Sequence, residues 1–215
     1  MNGPNQLPRF YPIVDAARFS AAPDPAVAIA RFARELVAGG ASLIQYRNKS
    51  GNPRPMLSQA RELRRVIQDK AKLIMNDRAD LCLAAGFDGV HLGQDDLSPG
   101  AVRQIFQDAG QPRLWIGFST HNPDQLREAD QMLVDYIAVG PVFATTSKAN
   151  PDPVIGVEGV RRAREATKKP LVAIGGITRQ NCKSVLDGGA DAVAVISDVV
   201  ESPGKSAEEF LRILG

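Results

Sequence analysis

Cysteine is scarce: the 215 residues contain two, Cys82 and Cys182. Both fall in predicted helices and form no metal-spaced pair, which argues against a disulfide framework or a thiolate metal site. Strong charge is lacking too. A formal net charge of +2, with no basic run interleaved with aromatics, gives no case for nucleic acid. Any phosphate recognition should therefore be local. No stretch approaches the ~18 consecutive apolar residues of a membrane span. The polar start, Met1 to Gln6, has no signal-peptide core. The expectation is a reduced, cytoplasmic setting with no membrane partner. His91 and His121 show no metal-ligand spacing, and no Ser–His–Asp order suggests a hydrolase triad.

What is present is repetition. Short apolar runs alternate with amphipathic helical patterns about eight times, strand starts lying roughly 20 to 35 residues apart. The strands are read at Phe10–Asp15, Ser42–Arg47, Ala71–Asp77, Gly89–Gly93, Leu114–Thr120, Tyr136–Val142, Pro170–Gly176 and Ala192–Ser197. Between the first two, Asp24-Pro25 opens a helix as N-cap and first-turn proline, and Gly39-Gly40 closes it. A last helix is expected near Ala207 to Leu214. Eight such units predict an α/β fold of the (β/α)8 TIM-barrel type, compact for its class. The rival, a doubly wound open sheet, is disfavoured because no Gly-x-Gly-x-x-Gly turn follows the first strand. No composition break divides the chain, so residues 1–215 are expected to form a single domain.

Barrel chemistry sits at the C-terminal strand ends, and polar residues gather there. The third strand stops at Asn76-Asp77 and the fourth runs into Gln94-Asp95-Asp96. Carboxylates from two neighbouring strands suit a hard cation such as Mg2+, which leaves room for substrate phosphate. The plainer reading makes Asp77 a helix cap and Asp95 or Asp96 a turn residue. After the second strand, Gln45-x-Arg47-x-Lys49 places three side chains on one face. Arg and Lys suit phosphate oxygens, and Gln suits a heterocycle edge; the alternative is a solvated loop.

Gly175, Gly176 and Thr178 follow the seventh strand and Ser197 the eighth, the barrel's recurrent phosphate position. The plainer alternative is a tight turn with Thr178 as its N-cap. The hydroxyl-rich stretch Ala144 to Pro153, with Lys148, reads as a functional lid or as a surface excursion. Ser119, Thr120 and His121 end the fifth strand; His121 is an acid–base group or a loop holder. His91, inside a strand, reads as structural.

Taken together, Ile44-Gln45-Tyr46-Arg47-Asn48-Lys49, Asn76-Asp77-Arg78, Gly89 to Asp96, Ser119 to Asn122, Gly140 to Lys148 and Ala173 to Thr178 resemble the thiamine-phosphate synthase family, in its order and across nearly the whole chain. The resemblance implies a transferase that joins 4-amino-2-methyl-5-(diphosphooxymethyl)pyrimidine to a thiazole phosphate and releases pyrophosphate. It implies Asp77 and Asp96 as Mg2+ ligands. Gln45, Arg47, Lys49, Asn76 and Lys148 would hold the pyrimidine diphosphate, with Ser119 near the pyrimidine. Ser119 and Lys148 are the implied catalytic groups. Thr145, Ser147 and the backbone at Gly176, Ile196 and Ser197 would contact the thiazole phosphate. Ser147 stands where the family has threonine, and Tyr46 and Asn48 stand where Leu and Glu are usual. Both substrates are small molecules, and a homo-oligomer is compatible with all of this. A thiazole tautomerase on the same barrel and a non-catalytic phosphate-binding barrel are the alternatives.

Overall fold

The apolar runs become parallel strands because each is flanked by a helix that covers one of its faces. The computed structural model describes residues 7–145 and 152–215. Its strands are β1 (Phe10–Asp15), β2 (Leu43–Arg47), β3 (Lys72–Asn76), β4 (Gly89–Leu92), β5 (Trp115–Thr120), β6 (Tyr136–Val139), β7 (Leu171–Ile174) and β8 (Ala192–Val195). They pair in sequence order, and β8 closes on β1. The fold is a (β/α)8 TIM barrel. Its outer layer is α1 (Pro25–Ala38), α2 (Pro53–Ile67), α3 (Ala79–Ala85), α4 (Pro99–Asp108), α5 (Pro123–Gln131), α6 (Gly156–Ala166), α7 (Cys182–Asp187) and α8 (Pro203–Leu214).

Several helix starts share one device. Asp24, Asn52, Ser98 and Asn122 each accept backbone N–H bonds from the first turn, and each precedes a proline. The cap satisfies an orphan donor, and the proline gives up an N–H that the helix would not have used. Boundaries differ from expectation where the pattern carries less. The sixth strand stops at Val139 rather than Val142, since Pro141 has no N–H for a ladder. The seventh stops at Ile174, because Gly175 and Gly176 both adopt positive φ. The last helix starts at Pro203, not Ala207.

Strand alternation sorts the core into two clusters. Side chains facing outward, among them Val14, Ile44, Leu73, Val90, Ile116 and Val193, pack against the helices. Inward residues fill the barrel, where Tyr11, Trp115 and Tyr136 are accommodated by Ala138, Ala192 and Ala194. Large rings interleaved with alanines fill the interior without a pore.

The bottom of the barrel carries a latch repeated three times. Asp88, Asp135 and Asp191 immediately precede β4, β6 and β8. Each accepts the backbone N–H of a residue at the start of the preceding strand: Leu73 at 2.7 Å, Ile116 at 2.7 Å and Leu171 at 2.8 Å. Each also pairs with an arginine from the helix that leads into the first of those strands, namely Arg64 of α2, Arg103 of α4 and Arg164 of α6. One carboxylate thus ties two strands and a helix together at the end away from the chemistry. Asp135→Ala is expected to lower unfolding stability by about 1–3 kcal/mol and leave kcat/KM within about twofold. Denaturant titration beside steady-state kinetics checks both halves.

Candidate active site

At the opposite, C-terminal end the barrel opens into a cavity of about 670 Å³, within the range of small-ligand sites. Gln45, Arg47, Lys49, Asn76, Asp77, Asp96, Ser119, Thr145, Gly176, Ile196 and Ser197 all line it. Residues spread over the whole chain thus meet at one rim. Ser147 and Lys148 lie outside the described residues.

The acidic side is built by a backbone turn. Asp77 has φ 64°, a left-handed conformation that Asp tolerates better than most residues. Its N–H donates to the His91 carbonyl at 2.8 Å. The plainer cap reading fails locally: α3 begins at Ala79 and its N-cap position is Arg78, whose side chain makes no cap hydrogen bond. The Asp77 carboxylate instead faces Lys49 Nζ at 2.6 Å and interacts with Asp96. Burial raises the Asp77 pKa; the Lys49 ammonium opposes that rise and the like charge of Asp96 adds to it. Asp96 is itself placed by the Gly93 N–H, which donates to its Oδ2 at 2.7 Å.

Two adjacent carboxylates, one with its pKa raised by burial, are a hard-oxygen donor pair whose charge a divalent cation would stabilise. The donor set fits Mg2+, which uses one or two carboxylates and takes its remaining ligands from water and phosphate. Among the described residues no group of three or more His, Cys, Asp or Glu forms an all-protein metal cage.

Arg47 is not the unencumbered fork that the sequence suggested. Its Nη1 donates to Asp15 Oδ2 at 2.6 Å, both side chains being largely buried. Asp15 ends β1 directly beside Arg47 in the register, and this partner was missed because strand pairing is invisible in a linear reading. The Asn76 amide Nδ2 is buried with no hydrogen-bond partner among the described residues. A buried unsatisfied donor in a cavity wall calls for an acceptor from a ligand.

On the far side, Gly175 and Gly176 have φ of 103° and 62°. A Cβ on Gly176 would lie 2.4 Å from the Ala144 carbonyl oxygen, so the two loops touch backbone to backbone. Asn181 anchors this turn: its Nδ2 donates to the Gly176 carbonyl at 3.0 Å and its Oδ1 accepts from Thr178 N–H at 2.8 Å. Thr178 is therefore not the N-cap; Asn181 occupies that position of α7. Arg179 makes a bidentate pair with Asp198, tying the β7 loop to the β8 loop. Arg18, in the 3-10 turn after β1, donates to Ser197 Oγ at 3.1 Å.

His121 Nδ1 hydrogen-bonds the Gly140 carbonyl oxygen at 2.9 Å. His91 faces the cavity rather than the helix layer, joined to Tyr136 and Ser119. The β3–β4 register sets it beside Asn76, which lines the same cavity. No helix among the described residues is long and apolar enough to cross a membrane.

Comparison with known proteins agrees with this geometry. The family model described as thiamine monophosphate synthase matches residues 10–199. The thiamine-phosphate synthase of Koribacter versatilis is 57% identical over 210 residues, covering 97% of each chain. That of Methanoregula boonei is 46% identical over 81% of this chain and 78% of its own. Among solved structures, the thiamine phosphate pyrophosphorylase of Pyrococcus furiosus superposes with a TM-score of 0.81 at 34% identity, covering 96% of this chain and 95% of that one. The chain belongs to the thiamine monophosphate synthase family.

Proposed function

We propose that this protein is a thiamine-phosphate synthase, working as a single domain over residues 1–215 in the cytoplasm on two small-molecule substrates. It joins 4-amino-2-methyl-5-(diphosphooxymethyl)pyrimidine to a thiazole phosphate and releases pyrophosphate, and the carboxylated thiazole would lose its carboxylate as carbon dioxide as well. The observation that carries this reading is the meeting of Lys49 with Asp77, and of Asp77 with Asp96, on one cavity wall. Cations and carboxylates in that arrangement suit a metal-bound pyrophosphate rather than a bare phosphate ester. Buried free thiols at Cys82 and Cys182 suit a reducing compartment.

The bond to break joins the pyrophosphate oxygen to a benzylic-type carbon on an electron-rich aminopyrimidine. That oxygen leaves with the bonding pair, and the ring carries the positive charge until the thiazole nitrogen donates its lone pair to the carbon. Asp77 and Asp96 would hold Mg2+, which when bound would neutralise charge on the pyrophosphate. Lys49, Arg47 and the unpartnered Asn76 amide donate to its oxygens, joined by Lys148. Gln45 and Ser119 orient the pyrimidine. Thr145 and Ser147, with the backbone at Gly176, Ile196 and Ser197, hold the thiazole phosphate so that its nitrogen faces the reacting carbon. That positioning replaces a chance encounter with a fixed one.

Incubating both substrates with Mg2+ and measuring thiamine phosphate and pyrophosphate tests the reading. Stoichiometric product with Mg2+, and loss of about 10³-fold or more with a chelator, is expected for an electrostatic effect of several kcal/mol. Conversion of the thiazole isomer alone, indifferent to chelator, would instead select a tautomerase. Binding without turnover would select a non-catalytic barrel.

A further inference from the structure

Three buried side chains to which the reaction gives no role form one hydrogen-bonded chain across the barrel floor. Gln45 Nε2 donates to the Tyr11 hydroxyl at 3.0 Å. The Tyr11 and Tyr136 hydroxyls lie 2.9 Å apart. The Tyr136 hydroxyl is 3.0 Å from His91 Nδ1, and His91 Nε2 is 2.8 Å from Ser119 Oγ. The chain therefore starts on β2 and ends on β5, at the two residues assigned above to the pyrimidine. Tyr11 and Tyr136 are each 1% exposed and His91 9%. The fold also makes room for this arrangement. Gly117 sits beside Tyr136 in the register, and a Cβ there would lie 2.1 Å from the phenol Cζ. The His91 ring stacks on Tyr136, centroids 5.5 Å apart and planes within 20°.

Counting protons gives the chain a direction. Burial holds both phenols above their ordinary pKa, so each keeps one proton and donates once. The Gln45 amide nitrogen cannot accept, so Tyr11 accepts from it; the Tyr136 hydroxyl is the other hydrogen-bonding neighbour of the Tyr11 hydroxyl among the described residues, so the buried Tyr11 proton is satisfied by donating there. Tyr136, having accepted from Tyr11, donates to His91 Nδ1. A neutral imidazole carries one N–H and one lone pair, so an accepting Nδ1 leaves the proton on Nε2, which donates to Ser119 Oγ. The Ser119 proton remains for a ligand, as does the carbonyl oxygen of Gln45. Turning the Gln45 amide over would require every proton in the chain to reverse.

We propose that Tyr11, Tyr136 and His91 are positioning residues whose hydrogen bonds run one way from Gln45 to Ser119, presenting Gln45 Oε1 as an acceptor and the Ser119 hydroxyl as a donor to the pyrimidine. This rests on the reading of the site given above, and it adds a selection rule. An amino group opposite Gln45 and a ring nitrogen opposite Ser119 match the pair. An analogue with an oxo group in place of the amino group brings oxygen against the Gln45 oxygen and is rejected, as a site built around a specific donor rejects its mismatch.

The direction is measurable without substrate. The chain has two histidines, so a ¹⁵N spectrum of histidine-labelled protein, compared with the same spectrum of His121→Asn, assigns His91. The expected signature is a protonated Nε2 with a bare Nδ1. The opposite tautomer, or a doubly protonated ring, overturns the proposal whatever the enzyme catalyses. In kinetics, Tyr136→Phe keeps the ring but removes two links; Tyr11→Phe cuts the chain one bond earlier and serves if the first variant does not fold. Either is expected to lower kcat/KM for the pyrimidine diphosphate about 10-fold, the scale of a lost buried hydrogen bond. The KM for thiazole phosphate should not change, and the preference for the amino over the oxo analogue should narrow by a similar factor. A folded variant with undiminished preference overturns the relay. Failure of the wild-type protein to form thiamine phosphate would instead remove the reaction, leaving the tautomer result to stand by itself.

Discussion

Asp77→Ala is expected to cut turnover about 10²–10³-fold with the barrel intact, the scale of one lost electrostatic contact of ~3–4 kcal/mol. The size follows from how many interactions converge on this carboxylate. Lys49 Nζ lies 2.6 Å from Asp77 Oδ2, and Asp96 is the other half of the proposed metal pair. Alanine removes half of the donor set and lets the Lys49 ammonium drift from the place where pyrophosphate is expected. Asp77→Asn separates charge from shape: it keeps the left-handed turn that Asn tolerates well but lacks the negative charge. Both variants should need far more Mg2+ for half-maximal rate, which a metal titration of initial rates reads directly. Near-wild-type turnover in Asp77→Ala, with unchanged thermal unfolding, would remove the metal and leaving-group roles from this wall.

The second large effect is expected on the other side of the cavity. Gly176→Ala places a Cβ 2.4 Å from the Ala144 carbonyl oxygen and 2.8 Å from Phe143 Cβ, on a residue with φ of 62°. A left-handed alanine costs about 1–2 kcal/mol, and the loop has to move to relieve the contact. Because the neighbouring backbone is the proposed phosphate cradle, kcat/KM for thiazole phosphate should fall about 10–10²-fold. The KM for the pyrimidine diphosphate should stay close to wild type. Gly86→Ala is the matched control. It has φ of 66° with nothing within 4 Å of the added Cβ, so it carries the conformational cost without crowding the site. Equal kinetic losses in both variants would mean that backbone cost alone, not the cradle, explains the effect.

How much of this was readable in advance depends on the range of the interaction. The eight-fold alternation and the Asp24-Pro25 helix start are local, set by side-chain periodicity and by which groups can cap a first turn. Strand ends are less sharp: the apolar pattern runs on to Val142 and Gly176, whereas the strands stop at Val139 and Ile174. An apolar or glycine-containing run does not announce where a neighbour ceases to pair. The partners of functional groups were mostly hidden. Nothing near Arg47 in the chain points to Asp15, nothing near Asp77 points to Lys49, and the fourth strand shows His91 without showing Tyr136 or Ser119. The latches of Asp88, Asp135 and Asp191 are hidden for the same reason, since an aspartate before a strand looks like any turn residue until its second strand is in place.

By itself, then, the sequence determined the element order, the parallel barrel that such an order closes into, and the set of polar residues at the strand ends. Those follow from periodicity and chemical type, which are properties of neighbours along the chain. Only the closed barrel decided that Asp77 turns toward Lys49 and Asp96, that Arg47 shares its charge with Asp15, and that two phenols and an imidazole connect Gln45 to Ser119. Hydrogen bonds and ion pairs depend on distance in space, and the register between strands, absent from any single stretch of residues, sets that distance.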